Sequence, residues 1–297
     1  MGVIESTNQS VESLEGLHLY HTGRSNCSAR VRLLIEEKGL PWVSHYIDLY
    51  TKENISEEYF SINPKGVVPT LVHDGRVIVE SNDILLYLED AYPVPRFTPH
   101  SAPECEAMRT WLQRSGDIHI PGIKTFAYAQ LNAALVQKTP AEAALYRKLQ
   151  KDQDLLAFHA KHDPGKSFGK DDVHRASALL RSALAEIGTR VTQDGWLVGS
   201  SYSLADISWA TTITTLQRAG FPLGEFPHVV NWYARISKRP AWERAVVHWL
   251  GAPKERVMQM GTPETIAARE SPTHATSTGS EVFVAGEPSG VLARVSR

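Results

Sequence analysis

The residues best suited to chemistry are Ser25-Asn26-Cys27-Ser28, which place two hydroxyls and a thiol between an apolar stretch and an amphipathic one. The helix expected to follow would offer unpaired N–H groups and a partial positive charge at its start, and so stabilise an anion there. A thiolate is such an anion. A free thiol titrates near about 8.5, and lowering that by about two units takes about 2.7 kcal/mol of preferential interaction. A helix end and one hydroxyl donor are of that order together. The plainer role for Ser25 and Ser28 is to cap the helix, with Ser28 the expected cap. Cys27 is either a reactive thiol at the opening turn or an inert one buried behind the helix.

Two further segments suit a small peptide-like ligand. In Gly66-Val67-Val68-Pro69 the proline has no N–H to give a sheet ladder, which places it at a strand start or in a special turn. A cis Val68–Pro69 bond would leave the Val68 backbone free to pair with an extended ligand, although trans is the commoner state. Glu80-Ser81 opens another expected helix, with Ser81 as N-cap and Asp83 in the first turn. Its free N–H groups either serve the cap alone or hold a carboxylate. The three features together complement a short, extended, thiol-containing peptide.

These features need a scaffold, and the chain reads as one. Leu17 to Tyr20 suggests a strand, about Ser28 to Lys38 a helix stopped by Gly39 and Pro41, and Trp42 to Asp48 a second strand. Glu53 to Phe60 suggests a short helix. Asp74-Gly75 favours a tight hairpin turn between strands at 69–73 and 76–79, and a helix follows over 81–91. A crossover makes the first two strands parallel and the hairpin is antiparallel, so the expected sheet is mixed and four-stranded. Residues 1–16 read as a flexible N-terminus, 17–92 as this α/β domain, and 93–103, with Pro93, Pro95, Pro99 and Pro103, as a stiff linker. Residues 104–252 read as all-helical and 253–297 as a disordered Thr-, Ser-, Glu- and Gly-rich tail.

Composition narrows the partners. A formal net charge of −2 gives no basic surplus for nucleic acid or an anionic membrane, so neither is expected. No run approaches the length of a membrane span, and the first residues carry Glu5, Glu12 and Glu15 rather than a signal sequence. The 2 cysteines, Cys27 and Cys105, rule out a disulfide framework. A cytoplasmic protein acting on a small molecule is expected.

Residues 17–92 resemble the N-terminal, thioredoxin-like domain of the glutathione transferases. Ser25-Asn26-Cys27-Ser28-Ala29-Arg30-Val31-Arg32 resembles the zeta-class motif Ser-Ser-Cys-Ser-Trp-Arg-Val-Arg, departing from it at Asn26 and Ala29. The resemblance implies that Ser25 activates glutathione, that Pro69 is cis with Val68 pairing to the peptide, and that Glu80 and Ser81 hold the γ-glutamyl group. In residues 104–250, Ser203-Leu-Ala-Asp206 resembles the family's helix capping box, a folding signal. The stretches Trp111 to Asp117 and Trp196 to Ser200, with the extra length between about 124 and 172, resemble the tetrachlorohydroquinone reductive dehalogenase branch.

The implied protein is an enzyme of glutathione transferase type, a homodimer with glutathione as cosubstrate and no metal. Its second substrate is an electrophilic aromatic or quinone, in detoxification or secondary metabolism. In the dehalogenase branch the residue matching Cys27 accepts a glutathionyl group. A zeta-type cis–trans isomerase and a non-catalytic regulatory protein on the same fold are the alternatives. Other patterns carry no function. Gly165-Lys166-Ser167 lacks the earlier glycine and strand of a phosphate loop, His159 and His162 lack a third metal ligand and read as solvated, and the tryptophans at 196, 209, 232, 242 and 249 read as packing residues.

Overall fold

A computed structural model describes residues 2–130, 137–193 and 195–250. The expected tail at 253–297 lies outside them.

Strands β1 (Val3–Ile4), β2 (Leu17–His21), β3 (Val43–Tyr46), β4 (Thr70–His73) and β5 (Arg76–Ile78) form one sheet in the order β1-β5-β4-β2-β3. Only β2 and β3 are parallel. The sheet therefore has five strands where four were expected. Val3 and Ile4 pair with Ile78 and Val77, and Val79 N–H donates to the Gly2 carbonyl at 2.8 Å. Two residues are too few to show an alternating pattern, which is why this edge was not legible. Between β4 and β5, Asp74 and Gly75 both take positive φ, as a tight hairpin requires.

Helix α1 (Asn26–Lys38) ends at Gly39 in the left-handed conformation. It starts two residues before the expected Ser28. It is also buried nearly all round, with Leu33 and the two arginines Arg30 and Arg32 as inaccessible as Val31, Leu34 and Ile35. The sheet covers one side and the helical domain the other. Arg32 satisfies its charge in that position by donating to the carbonyls of Ala245, Thr22 and Gly23 and to Nδ1 of His21. Helix α2 (Glu57–Ile62) begins later than the expected Glu53 because Ser56 caps it, while the Glu53 carboxylate accepts from Asp48 N–H. Helix α3 (Ser81–Ala91) completes the first domain.

The proline-rich segment is pinned rather than free. Glu89 accepts from Phe97 and Thr98 N–H, and the Lys38 ammonium donates to the Tyr92 and Pro95 carbonyls while pairing with Glu89. Pro103 belongs to the first turn of α4 (Ala102–Asp117), capped by Ser101. There follow a π-helical turn (His119–Lys124), α5 (Thr125–Gln130), α6 (Pro140–Leu149), α7 (Gln153–Ala160), α8 (Lys170–Gln193), α9 (Leu204–Arg218), α10 (Pro227–Ile236), α11 (Pro240–Trp242), a second π turn (Glu243–Val247) and α12 (His248–Leu250).

The fully buried Asp206 at the start of α9 anchors this domain. It accepts from Leu197 N–H, from Ser203 N–H and Oγ, and from Trp232 Nε1. Trp209, Trp232, Trp242 and Trp249 lie in the core. Among the described residues no helix is long and apolar enough to cross a membrane.

Candidate active site

Strand order brings the three predicted segments to one end of the sheet. Tyr20, at the end of β2, pairs with Thr70 at the start of antiparallel β4, and Leu71 pairs with Ile78 at the end of β5. The chain leaving β2 enters α1 through Ser25, the chain entering β4 passes Pro69, and the chain leaving β5 enters α3 through Glu80. The hairpin and the crossover thus gather sequence positions more than fifty residues apart.

Ser25, not Ser28, caps α1. Its Oγ accepts from Ser28 N–H at 3.2 Å, while the Ser28 hydroxyl turns inward and accepts from Thr22 N–H. A serine hydroxyl accepting one bond still has its O–H to donate. Capping and donation to a thiolate are therefore compatible at Ser25.

Cys27 is the second residue of α1 and is partly exposed. Its Sγ lies 3.6 Å from Nε2 and 3.9 Å from Nδ1 of His119, in the helical domain. Burial on its own would push the Cys27 thiol up. The His119 imidazole, as charge and hydrogen-bond partner, then the Arg30 guanidinium and a hydrogen bond with Ser81, bring it down to about 6. At neutral pH such a thiol is mostly thiolate.

His119 had no signal of its own in the sequence. What positions it is Pro121, which has no N–H for an α-helical bond and stands within an otherwise helical stretch. The backbone widens there. Ile118 C=O accepts from Gly122 N–H at 2.9 Å and from Ile123 N–H, five residues on, at 3.1 Å. Single π turns of this kind are frequent at functional sites.

Arg30 is another residue whose place in the site the sequence did not reveal. It is 2 % exposed, and Nη1 donates to Ser81 Oγ at 2.9 Å and to Asn82 Oδ1 at 2.8 Å. Among the described residues its Nε and Nη2 have no partner, and burial lowers its pKa. A buried guanidinium with two unused donors beside a thiol favours negative charge there. Asn82 extends the link across the domain seam by donating to Leu112 C=O and Ser115 Oγ and accepting from Ser208 Oγ.

Glu80, rather than Ser81, holds the N-cap position of α3, and its side chain makes no cap bond. Its φ of 64° is unusual for a residue with a Cβ, and such backbone is typical of ligand clamps. The Glu80 carboxylate pairs with Lys65 at 2.6 Å, and Lys65 lies 3.8 Å from Asp152, which caps α7. Ser81 is buried in the first turn against Arg30. The Val68–Pro69 bond is cis. Before it, Val67 C=O accepts from Tyr59 Oη and Asn63 Nδ2. Gly66 has φ 60°, and a Cβ there would fall 2.3 Å from the Phe60 ring.

His162 is not solvated as expected. It is 3 % exposed, with both ring nitrogens unpartnered among the described residues, in an aromatic group with Tyr128, Phe158, His159 and Phe168. Among the described residues no group of three or more His, Cys, Asp or Glu side chains is placed to hold a metal ion.

A thioredoxin-like sheet domain followed by a helical domain, meeting at a thiol, is an architecture that known proteins share. Residues 24–91 match the glutathione S-transferase N-terminal domain and residues 134–240 the C-terminal domain. The chain is 37 % identical over 219 residues to glutathione S-transferase 1 of Dianthus caryophyllus, covering 73 % of this chain and 86 % of that protein. It is 27 % identical over 249 residues to the tetrachloro-p-hydroquinone reductive dehalogenase of Sphingobium chlorophenolicum, covering 78 % and 97 %. The crystal structure of the beta-etherase LigF of Sphingobium sp. strain SYK-6 superimposes with a TM-score of 0.69 at 26 % identity, over 77 % of this chain and 98 % of that one. The chain belongs to the glutathione S-transferase family.

Proposed function

We propose that the chain is a glutathione-dependent enzyme acting on an electrophilic aromatic or quinone-type substrate, with both Ser25 and Cys27 in its chemistry. One observation carries this reading: a partly exposed thiol in the first turn of α1 faces His119 at 3.6 Å and has its pKa lowered to about 6. A purely structural cysteine needs no such surroundings. Glutathione lies along the sheet end, with its backbone against Val68 and its γ-glutamyl carboxylate at the α3 start near Glu80 and Ser81. The Ser25 hydroxyl donates to its sulfur, and the thiolate attacks the second substrate at the seam with the helical domain.

Cys27 adds a second step. Its thiolate attacks the sulfur of an aryl–glutathione thioether, so that an S–S bond forms and the carbon–sulfur bond breaks. The electron pair stays on the aryl carbon, which takes up a proton, and the aromatic is released reduced. A second glutathione thiolate then attacks the mixed disulfide, releasing glutathione disulfide and restoring Cys27. The family resemblance to a named reductive dehalogenase supports this order. A two-fold dimer is part of the proposal and is checked by sedimentation at micromolar concentration.

Calorimetric titration with glutathione, followed by a panel of quinones and haloaromatics with glutathione present, tests the reading. Binding with turnover of a panel member is expected. Absence of glutathione binding would favour a regulatory protein on the same fold.

A further inference from the structure

The π turn that presents His119 ends at Lys124. In an α-helix, residues five apart sit about 140° from one another, and the wider turn brings them towards a common face. Lys124 accordingly interacts with the charge on Cys27, as His119 does. Its ammonium lies 4.8 Å from the centre of the Phe158 ring and 5.5 Å from that of Tyr128, and it pairs with no carboxylate among the described residues.

Beyond the Cys27 thiolate, which His119 and Arg30 also face, the neighbouring described groups do not supply an anion. Lys138 is itself cationic and lies 3.6 Å from Asp163, which also takes Arg147. His159 and His162, from α7 and the turn after it, are both held neutral by burial, followed by the nearby lysines. Burial, opposed by Cys27 and reinforced by Lys138, lowers Lys124 to about 8. His162, whose ring centre is 5.2 Å from that of Tyr128 and 5.5 Å from that of Phe158, has two buried nitrogens without partners among the described residues. The cluster thus offers a cation that pairs with no carboxylate, imidazole nitrogens without a partner among the described residues, and aromatic faces, within electrostatic reach of the reactive thiol.

We propose that Lys124, with Tyr128, Phe158 and His162, binds the ionised oxygen of an aromatic second substrate and holds its ring towards Cys27 and His119. The substrate class is an aromatic oxyanion, phenolate or carboxylate. The proposal rests on the glutathione-dependent reading above and narrows it. A ring carrying O⁻ lies against Phe158 and Tyr128 by its face and meets the ammonium by its oxygen, a pairing that a neutral isostere lacks.

The test measures equilibrium binding of 4-nitrophenol, 4-nitrobenzoate and the uncharged 4-nitroanisole to the full chain slightly above pH 7, with 4-nitrophenol read by its phenolate absorbance. The wild type should bind at least one anion about tenfold or more tighter than the anisole, the size expected of a hydrogen bond to a charged group. The tighter anion distinguishes phenolate from carboxylate. Lys124→Met should level the three ligands and Lys124→Arg should restore the preference. Equal binding of all three by the wild type, which requires no variant, would overturn the proposal, as would a preference that survives in Lys124→Met. Glutathione titration of the same samples separates the two readings. A wild type that ignores glutathione yet prefers the anion would fault the functional reading and leave the oxyanion site standing.

Discussion

The Cys27 sulfur and Nε2 of His119 stand 3.6 Å apart across the seam between the two domains, 92 residues apart in sequence. The reactive end of the first domain is thus completed by a side chain of the second. His119→Ala removes the partner that offsets burial, so the Cys27 pKa should rise from about 6 towards or beyond the ordinary thiol value of about 8.5. The pH profile of Cys27 alkylation by iodoacetamide, followed on the Cys27 peptide to separate it from Cys105, reads this directly. An unmoved midpoint would remove His119 from the site.

The same pair has a stability signature. The folded thiol pKa lies below the unfolded one, so ionisation of Cys27 stabilises the fold fully above about pH 8.5. That contribution is lost as pH falls through about 6. The difference in unfolding free energy between wild type and Cys27→Ala, measured by urea denaturation from pH 5 to 9, should shift in favour of the wild type as pH rises. A pH-independent difference would contradict the lowered pKa.

Ser25→Ala should do two things at once. Loss of the cap on α1 costs about 1 kcal/mol in denaturant unfolding. Loss of the hydroxyl donor raises the pKa of bound glutathione, visible in ultraviolet titration of the thiolate, with glutathione affinity nearly unchanged. Reduced stability with an unchanged glutathione pKa would leave Ser25 a helix cap and nothing more.

What the sequence revealed was whatever is settled locally. The Asp74-Gly75 turn, the Gly39 stop and the Ser203–Asp206 capping box each depend on neighbours within a few residues, and each has the predicted form. Boundaries were less legible. Ser25 and Ser28 are both good caps, as are the positions around Glu80 and Ser81, and only the path of the chain into the helix chooses between them. Least legible were Arg30, His119, Lys124 and His162. Arg30 and Arg32 share a motif, yet Arg32 finds carbonyls for its donors while two nitrogens of Arg30 find no partner among the described residues. That difference arises from what the helical domain brings to α1, and nothing within the motif states it.

Asn82 joins α1, α3, α4 and α9 through its bonds with Arg30, Leu112, Ser115 and Ser208. Asn82→Ala removes four bonds at once from this largely buried group, although Ser115 still donates to Leu112 C=O and pairs with Ser208, and Arg30 still donates to Ser81. The expected loss is about 3 kcal/mol in urea unfolding, with faster amide exchange along α4 and α9. A loss under about 0.5 kcal/mol would mean that water replaces the bonds and that the seam does not depend on them.

The last prediction concerns the division of labour between Ser25 and Cys27. If Ser25 alone activates glutathione, conjugation needs no second thiol, and Cys27→Ser should form aryl–glutathione adducts at nearly the wild-type rate. If Cys27 then removes the glutathionyl group, the wild type should release the reduced aromatic and glutathione disulfide, while Cys27→Ser stops at the adduct. A serine hydroxyl remains protonated at neutral pH and is a poor nucleophile towards thioether sulfur, whereas a thiol with a pKa of about 6 is largely ionised. Mass spectrometry of the products from a halogenated hydroquinone distinguishes the cases. Accumulation of the adduct only in the mutant supports reductive thiol exchange, and raising the glutathione concentration should not relieve it, because the missing step requires the protein's own sulfur. Identical products from wild type and mutant would exclude Cys27 from the reaction and reduce the activity to transfer by the Ser25-bound thiolate.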